Sequence, residues 1–199
     1  MIQEEFLNYV FNSAGLAKLK LEKPSSLQWL DLLTQAIEEK KFPKGHSLLN
    51  IGQTPELIYF LRKGAISGYY LDADGKRVTL YLWCENAIVT DIAGYINQTP
   101  SDLRIYTCDT SEVAAIHRSA INRIIDQYPE ALLFIMAIQG HFLTYHRERD
   151  MDSQTFSAEE RYRELMATDK KLALKFSKKF IASLLGVSPS HFYELMKRN

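Results

Sequence analysis

Along the chain the spacing of apolar positions changes character twice, and each change marks a new kind of element. From residue 1 to about 40, Leu27, Leu30, Leu32, Leu33, Ala36 and Ile37 recur at near-helical spacing behind Pro24-Ser25-Ser26, which offers an N-terminal cap. This segment reads as a packing helix. Between Phe42 and His117 the apolar positions fall into short runs rich in β-branched and aromatic residues. The runs are His46–Ile51, Leu57–Arg62, Ala65–Leu71, Arg77–Trp83, Arg104–Cys108 and Glu112–Ile116. Turn residues separate them at Pro43-Lys44-Gly45, Gly52-Gln53-Thr54-Pro55, Lys63-Gly64 and Asp72-Ala73-Asp74-Gly75. Evenly spaced strands with Gly or Pro turns predict an antiparallel sandwich or barrel, with Ala73-Asp74-Gly75 at a hairpin tip.

Helical period then returns. Ser119 is placed to cap a helix through Ile124-Ile125, and after Pro129 a long segment runs to about Arg149. Its opening, Ala131 to Ile138, is apolar on every side, which predicts burial on every side. One face packs on the β body. The other needs a partner, most economically the same helix of a second copy, which makes a homodimer through residues 130–149; a core helix within a monomer is the alternative. Three short helical patterns fill Phe156 to Asn199. Ser177 is placed as a cap, Phe176 and Ile181 as a hydrophobic staple, and Gly186 as the left-handed residue that ends the helix. Ser188-Pro189 starts the next helix, which runs to about Arg198. Small Ala182 sits where the helices approach, and Val187, Phe192 and Leu195 face inward. This is the pattern of a helix-turn-helix.

Composition narrows the class. In 199 residues, 46% are hydrophobic and 24% charged, as in a soluble globular protein. Ala131 to Ile138 is the longest apolar run, too short to span a membrane. No basic region precedes an apolar stretch at the N-terminus, so no secretory signal is expected. Cys84 and Cys108 form neither a disulfide framework nor a metal-binding spacing, which suits a reducing cytoplasm. Lys plus Arg and Asp plus Glu each total 24, and zero net charge by itself argues against a nucleic-acid partner. Division of the chain changes that. Phe156 to Asn199 holds nine cations and five anions, a +4 tail on a −4 remainder, and such asymmetry marks a candidate nucleic-acid-binding end.

The segments Phe42-Pro-Lys-Gly45 and Leu57-Ile-Tyr-Phe-Leu-Arg-Lys-Gly64, the long helix, and Ile181-Ala-Ser-Leu-Leu-Gly-Val-Ser-Pro189 together resemble the Crp/Fnr family of bacterial transcription regulators. The resemblance implies an α+β chain. Its parts are an antiparallel jelly roll of the cyclic-nucleotide-binding type with flanking helices (residues 1–150, including the dimerisation helix) and a helix-turn-helix DNA-binding domain (residues 151–199). The family's wing strands would follow Asn199, so the second domain is expected to be truncated. Expected DNA-contacting residues are Lys178, Lys179, Ser188, Ser190, His191, Tyr193, Glu194, Lys197 and Arg198. The effector pocket maps by resemblance onto Thr90, Asp91, Ile92, Ser101, Asp102 and Arg104. Where nucleotide-binding members carry Gly-Glu-Leu and Arg-Ser, this chain has Thr90-Asp91-Ile92 and Ser101-Asp102. The arginine that pairs with the cyclic phosphate is absent, so cyclic AMP is not the expected effector. Glu194 likewise stands where many members carry arginine, and a carboxylate cannot make the bidentate bonds that read guanine.

The first expectation is therefore a cytoplasmic, dimeric regulator that binds double-stranded DNA, with an unidentified small-molecule effector or none and no cofactor. The alternative is a ligand-binding or protein-interaction protein of the same fold that has lost specific DNA binding. A jelly-roll metalloenzyme is disfavoured. His46, His117, His141, His146 and His191 do not group at metal spacing, and neither a phosphate loop nor a nucleophile elbow occurs.

Overall fold

Gly, Pro and Asp turns cut residues 38–117 into strands short enough to stack as two sheets. The computed structural model describes residues 24–198. The chain enters as α1 (Pro24–Gln35) and continues through β1 (Glu38–Phe42), β2 (Ser47–Leu49), β3 (Leu57–Lys63), β4 (Ile66–Leu71), β5 (Arg77–Trp83) and β6 (Ala87–Val89). A short helix, α2 (Ile92–Asn97), precedes β7 (Arg104–Thr107) and β8 (Ser111–His117). The strands form two four-stranded antiparallel sheets of order β1-β8-β3-β6 and β2-β7-β4-β5. Ile58, Phe60, Ile66, Ile105 and Ile116, each no more than 2% exposed, belong to the core of this jelly roll. At the β4–β5 tip the Asp72 carboxylate accepts from the backbone N–H of Asp74 (3.0 Å) and of Lys76 (2.9 Å), the Asx-type bonding that suits Asp to turns.

Helices make up the rest of the chain. They are α3 (Arg118–Gln127), a 3₁₀ turn (Pro129–Ala131), α4 (Leu132–Thr155), α5 (Ala158–Thr168), α6 (Lys170–Lys175), α7 (Lys178–Leu184) and α8 (Pro189–Arg198). Phe134, Ile135, Ile138 and Phe142 of α4 are buried in the core they share with the β body. Leu132, Met136, Leu143 and Met151 of the same helix are exposed. With 100° between successive helical residues, these four lie on one stripe. Within the single chain Ala131 to Ile138 thus has one face buried on the β body, as expected, and one bare apolar face, the side for which the sequence calls for a partner.

Several elements differ from the sequence expectations. The helical reading of residues 1–23 lies outside the described residues, and helix does not reach residue 40, because α1 ends at Gln35 and β1 begins at Glu38. The run Glu38-Glu39-Lys40-Lys41 has no apolar alternation to announce a strand. It forms one because it pairs along β8 at the sheet edge, a place where charged side chains are favoured. The short β6 and α2 are also additional to the expected runs. His117, not Ser119, caps α3, its imidazole Nδ1 accepting from the Ser119 N–H at 3.1 Å. The long helix runs to Thr155, six residues past Arg149. Four helices rather than three follow it. One begins with a capping box that the sequence already spells as Ser157-x-x-Glu160, whose carboxylate accepts from the Ser157 N–H at 2.8 Å.

Gly64 shows how closely the two strand ends of the roll approach. Its φ is 113°, and a Cβ there would stand 2.4 Å from Ser111 Oγ and 2.7 Å from the Thr110 carbonyl. Gly75 also has a positive φ, 74°, but open space around it. Gly75→Ala is expected to cost about 1 kcal/mol, the left-handed backbone penalty, and Gly64→Ala roughly 3 kcal/mol. Urea unfolding of the two variants measures the difference, and equal losses would contradict the close-approach account.

Candidate nucleic-acid interface and interior cavity

Helix α7 closes through two backbone bonds, from the Val187 N–H to the Ala182 carbonyl (3.0 Å) and from the Gly186 N–H to the Ser183 carbonyl (3.1 Å). This paired closure needs a left-handed residue after the helix, and Gly186 supplies it with φ 70°. Two residues on, Ser188 Oγ accepts from the His191 N–H at 3.2 Å, so α8 starts on a capped end with Pro189 at its first position. Ser177 occupies the N-cap position of α7 but makes no side-chain capping bond, a correction to its expected role. Phe176 and Ile181 are both buried, as a staple requires.

The two helices pack through Ala182, Phe192 and Leu195, at 0%, 1% and 6% exposure. The polar positions are mostly left for solvent. Ser188, Ser190, His191, Tyr193, Glu194 and Lys197 are exposed, as are Lys178 and Lys179 at the start of α7. The Lys178 ammonium lies 5.3 Å from the centre of the Tyr193 ring, a cation–π contact that brings the two helices' candidate residues together. The Arg198 side chain lies outside the described residues.

A cavity of about 390 Å³ opens inside the jelly roll. Leu48, Leu49, Tyr59 and Ile105 contribute apolar wall, and Thr90, Asp91 and Glu56 contribute polar groups. No Lys, Arg or His is among its described lining residues. Thr90 and Asp91 are the two expected pocket residues that reach it, and both are engaged. The Thr90 hydroxyl donates to the Leu57 carbonyl at 3.2 Å, and the Asp91 carboxylate caps α2 by accepting from the Gly94 N–H at 3.2 Å. Ile92, Ser101, Asp102 and Arg104 do not line the cavity. Ser101 is buried with its Oγ accepting from the Leu103 N–H at 3.0 Å, and Asp102 is exposed. Arg104 alternates with Ile105, whose side chain lines the cavity, so it leaves the opposite face of β7. Its Nε is buried there without a hydrogen-bond partner among the described residues. Burial pushes the Tyr59 phenol up to about 12, so it stays protonated.

Residues 39–128 match the cyclic nucleotide-binding domain family. Among solved structures, FixK2 from Bradyrhizobium japonicum superposes with a TM-score of 0.70 at 17% identity, over 81% of this chain and 83% of that one. The Thermus thermophilus catabolite activator protein gives 0.55 at 18%, over 96% and 85%. A protein from Eubacterium rectale, named as a transcriptional regulator of the crp/fnr family, gives 0.66 at 14%, over 86% and 82%. The chain has the Crp/Fnr fold. No curated protein matches the sequence itself.

In this chain the helix-turn-helix is tied to the β body by a second hydrophobic cluster and by polar clamps. Ala65, Leu82 and Cys84 of the body pack with Leu172, Phe176, Ile181 and Phe192. The Thr79 N–H donates to Ser183 Oγ at 2.9 Å. The Arg149 guanidinium, near the end of α4, donates to the Leu80 carbonyl of β5 and, at 2.9 Å, to the Leu184 carbonyl of α7. Arg161 reaches the Leu185 carbonyl at 2.9 Å, and Lys175 pairs with Glu85. Burial raises the Glu85 carboxyl, but hydrogen bonds from Lys175 and Gly64 outweigh it and hold the group below its ordinary value. None of these clamps was expected from sequence. Arg149 carried one available signal, since it follows Phe142 and Tyr145 at the spacing of a single helix face.

Beside Arg149, His146 Nε2 shares a hydrogen bond with the Tyr81 hydroxyl. Burial, then the Arg149 charge, lowers the proton affinity of His146, with Asp150 opposing. The folded protein therefore takes up this proton at lower pH than the unfolded chain does. The associated stability is present above about pH 6.5, the unperturbed histidine value, and is lost as pH falls below it. His141 is lowered in the same direction by burial. The thermal unfolding midpoint is expected to drop between about pH 7.5 and about pH 5.5, by less in His146→Gln than in the parent. An equal drop in both proteins would remove His146 from this account.

Proposed function

We propose that the protein is a homodimeric, DNA-binding transcription regulator whose cavity does not respond to cyclic AMP. The observation that carries the reading is the closed and capped helix-turn-helix, with its packing residues inside and its polar residues outside. Residues 1–150 act as the sensor body with the dimerisation helix, and residues 151–199 as the DNA-binding domain. Lys178, Lys179, Lys197 and Arg198 provide attraction to phosphate, while Ser188, Ser190, His191 and Tyr193 position α8 in the major groove. Glu194, exposed on α8, accepts from a cytosine amine. The bare stripe Leu132, Met136, Leu143 and Met151 supports dimerisation through α4, because such a stripe on a helix seeks its own copy. A dimer of this kind works in the bacterial cytoplasm as a regulator rather than as an enzyme.

The cavity chemistry supports the second half of the proposal. A cyclic nucleotide brings a phosphate monoanion, and the described lining residues offer two carboxylates and no cation. An unpaired buried charge beside like charges is costly. A ligand of this cavity is uncharged or cationic. One observation favours a second reading, in which the same fold binds a ligand or partner without reading DNA. Glu194 has no hydrogen-bond or ion-pair partner among the described residues and faces solvent where it would meet phosphate.

Footprinting is expected to protect a two-fold symmetric site with half-sites about 34 Å apart. The logarithm of affinity is expected to fall linearly with the logarithm of salt concentration, and Lys178→Ala with Lys179→Ala to flatten that slope by about 2. Salt-independent binding, or protection of no promoter fragment, favours the second reading. Met136→Glu with Leu143→Glu is expected to halve the mass measured by light scattering. A parent that is already monomeric at micromolar concentration would exclude the α4 dimer.

A further inference from the structure

A second opening is larger than the cavity inside the jelly roll. A cleft of about 650 Å³ lies where β5, the second half of α4 and the helices α5 to α7 meet. That volume falls in the range of about 300–1,000 Å³ typical of small-molecule sites. Tyr81, Trp83, Phe142 and Tyr145 contribute aromatic wall. Tyr81 and Trp83 stack at 4.7 Å, Tyr81 and Tyr145 stack at 5.6 Å, and Phe142 meets Tyr81 edge-on at 5.8 Å. The Arg149 guanidinium stands 5.7 Å from the Tyr145 ring centre, so one cation already sits against this aromatic group.

Charge around the cleft is one-sided. Its lining includes the carboxylates of Glu85, Glu148, Asp152, Glu164 and Asp169 against the guanidiniums of Arg149 and Arg161. Both guanidiniums are spent on backbone carbonyls, of Leu80 and Leu184 and of Phe156 and Leu185 respectively. Lys175 is paired with Glu85, and Asp169 caps α6 by accepting from the Leu172 N–H. Glu148, Asp152 and Glu164 have no side-chain hydrogen-bond or ion-pair partner among the described residues. An aromatic wall beside unpaired carboxylates is the chemistry that recognises an apolar cation.

We propose that this cleft is a binding site for a small organic cation with an apolar body. Such a ligand lays its body against Trp83 and Tyr145 and its charge towards Glu148, Asp152 and Glu164. It touches the β body, α4 and the helix-turn-helix domain at once. The cleft faces away from the Leu132–Met151 stripe on the α4 wheel, so a second copy packed on that stripe leaves it open. The site is separate from the jelly-roll cavity, and the inference does not rest on DNA binding.

Calorimetry on the whole chain, without DNA, tests it with two ions of the same shape and opposite charge. Tetraphenylphosphonium is expected to bind once per chain and tetraphenylborate roughly tenfold or more weakly. Combined Glu148→Gln, Asp152→Asn and Glu164→Gln is expected to weaken phosphonium by roughly tenfold without weakening borate. Phosphonium is also expected to quench tryptophan fluorescence, with the quench lost in Trp83→Phe. Should the triple variant fail to fold, single Glu148→Gln and the quench decide. No saturable phosphonium binding, equal binding of both ions, or a quench that survives Trp83→Phe would overturn the proposal. Because every arm is read without DNA, failure here leaves the DNA-binding reading untouched, and failure of footprinting leaves this one untouched.

Discussion

The Arg149 guanidinium holds together the three parts of this molecule. It leaves the far end of the long helix α4 and donates to the Leu80 carbonyl of β5 and to the Leu184 carbonyl at the end of α7. Carbonyls at a helix end lack intrahelical donors, so one charged side chain satisfies a helix terminus and a strand together. Hydrogen bonds from a charged donor are the stronger kind. Around this clamp, Ser183, Arg161 and the Lys175–Glu85 pair repeat the same logic, and Leu82 and Cys84 extend the apolar contact beneath it. The orientation of α8 is therefore set by the body and α4 together, which is the physical requirement for any signal in the body to reach it.

The jelly roll has the shape of a cyclic-nucleotide-binding domain, while the described lining of its cavity carries carboxylates and no cation. Shape follows from glycines at strand ends, from strand pairing and from the apolar core, none of which depends on the ligand. Ligand chemistry depends on a few side chains. Here Asp91 is committed to capping α2, Glu56 adds a second carboxylate, and Arg104 leaves through the other face of β7. A match to the domain family therefore describes the container and says little about its contents.

Much of this was legible in sequence because local chemistry specified it. Gly186 and Ser188-Pro189 carried the helix-turn-helix, since a left-handed closure followed by a cap and an N1 proline has few other uses. The apolar run after Pro129 announced a helix with two apolar faces. Strand Glu38–Phe42 was hidden because its residues have no alternation of their own and take their conformation from β8. The cap of α3 was misplaced by two residues because His117 can accept through Nδ1 as readily as a hydroxyl can. Of the six pocket positions taken from resemblance, four fell outside the cavity; for Arg104 this is because alignment gives position along a strand and not the face of the sheet.

By itself, then, the sequence determined a β-rich body between helical segments, the turn chemistry, and the acidic body with its basic end. These are properties of neighbouring residues and of counts. Tertiary structure alone decided which face of β7 Arg104 takes, which side of α4 stays bare, and that Arg149, Tyr81 and Leu184 meet. It also opened the aromatic, acidic cleft between residues far apart in the chain. Contacts across such separations depend on how sheets and helices pack, and no local spacing encodes that.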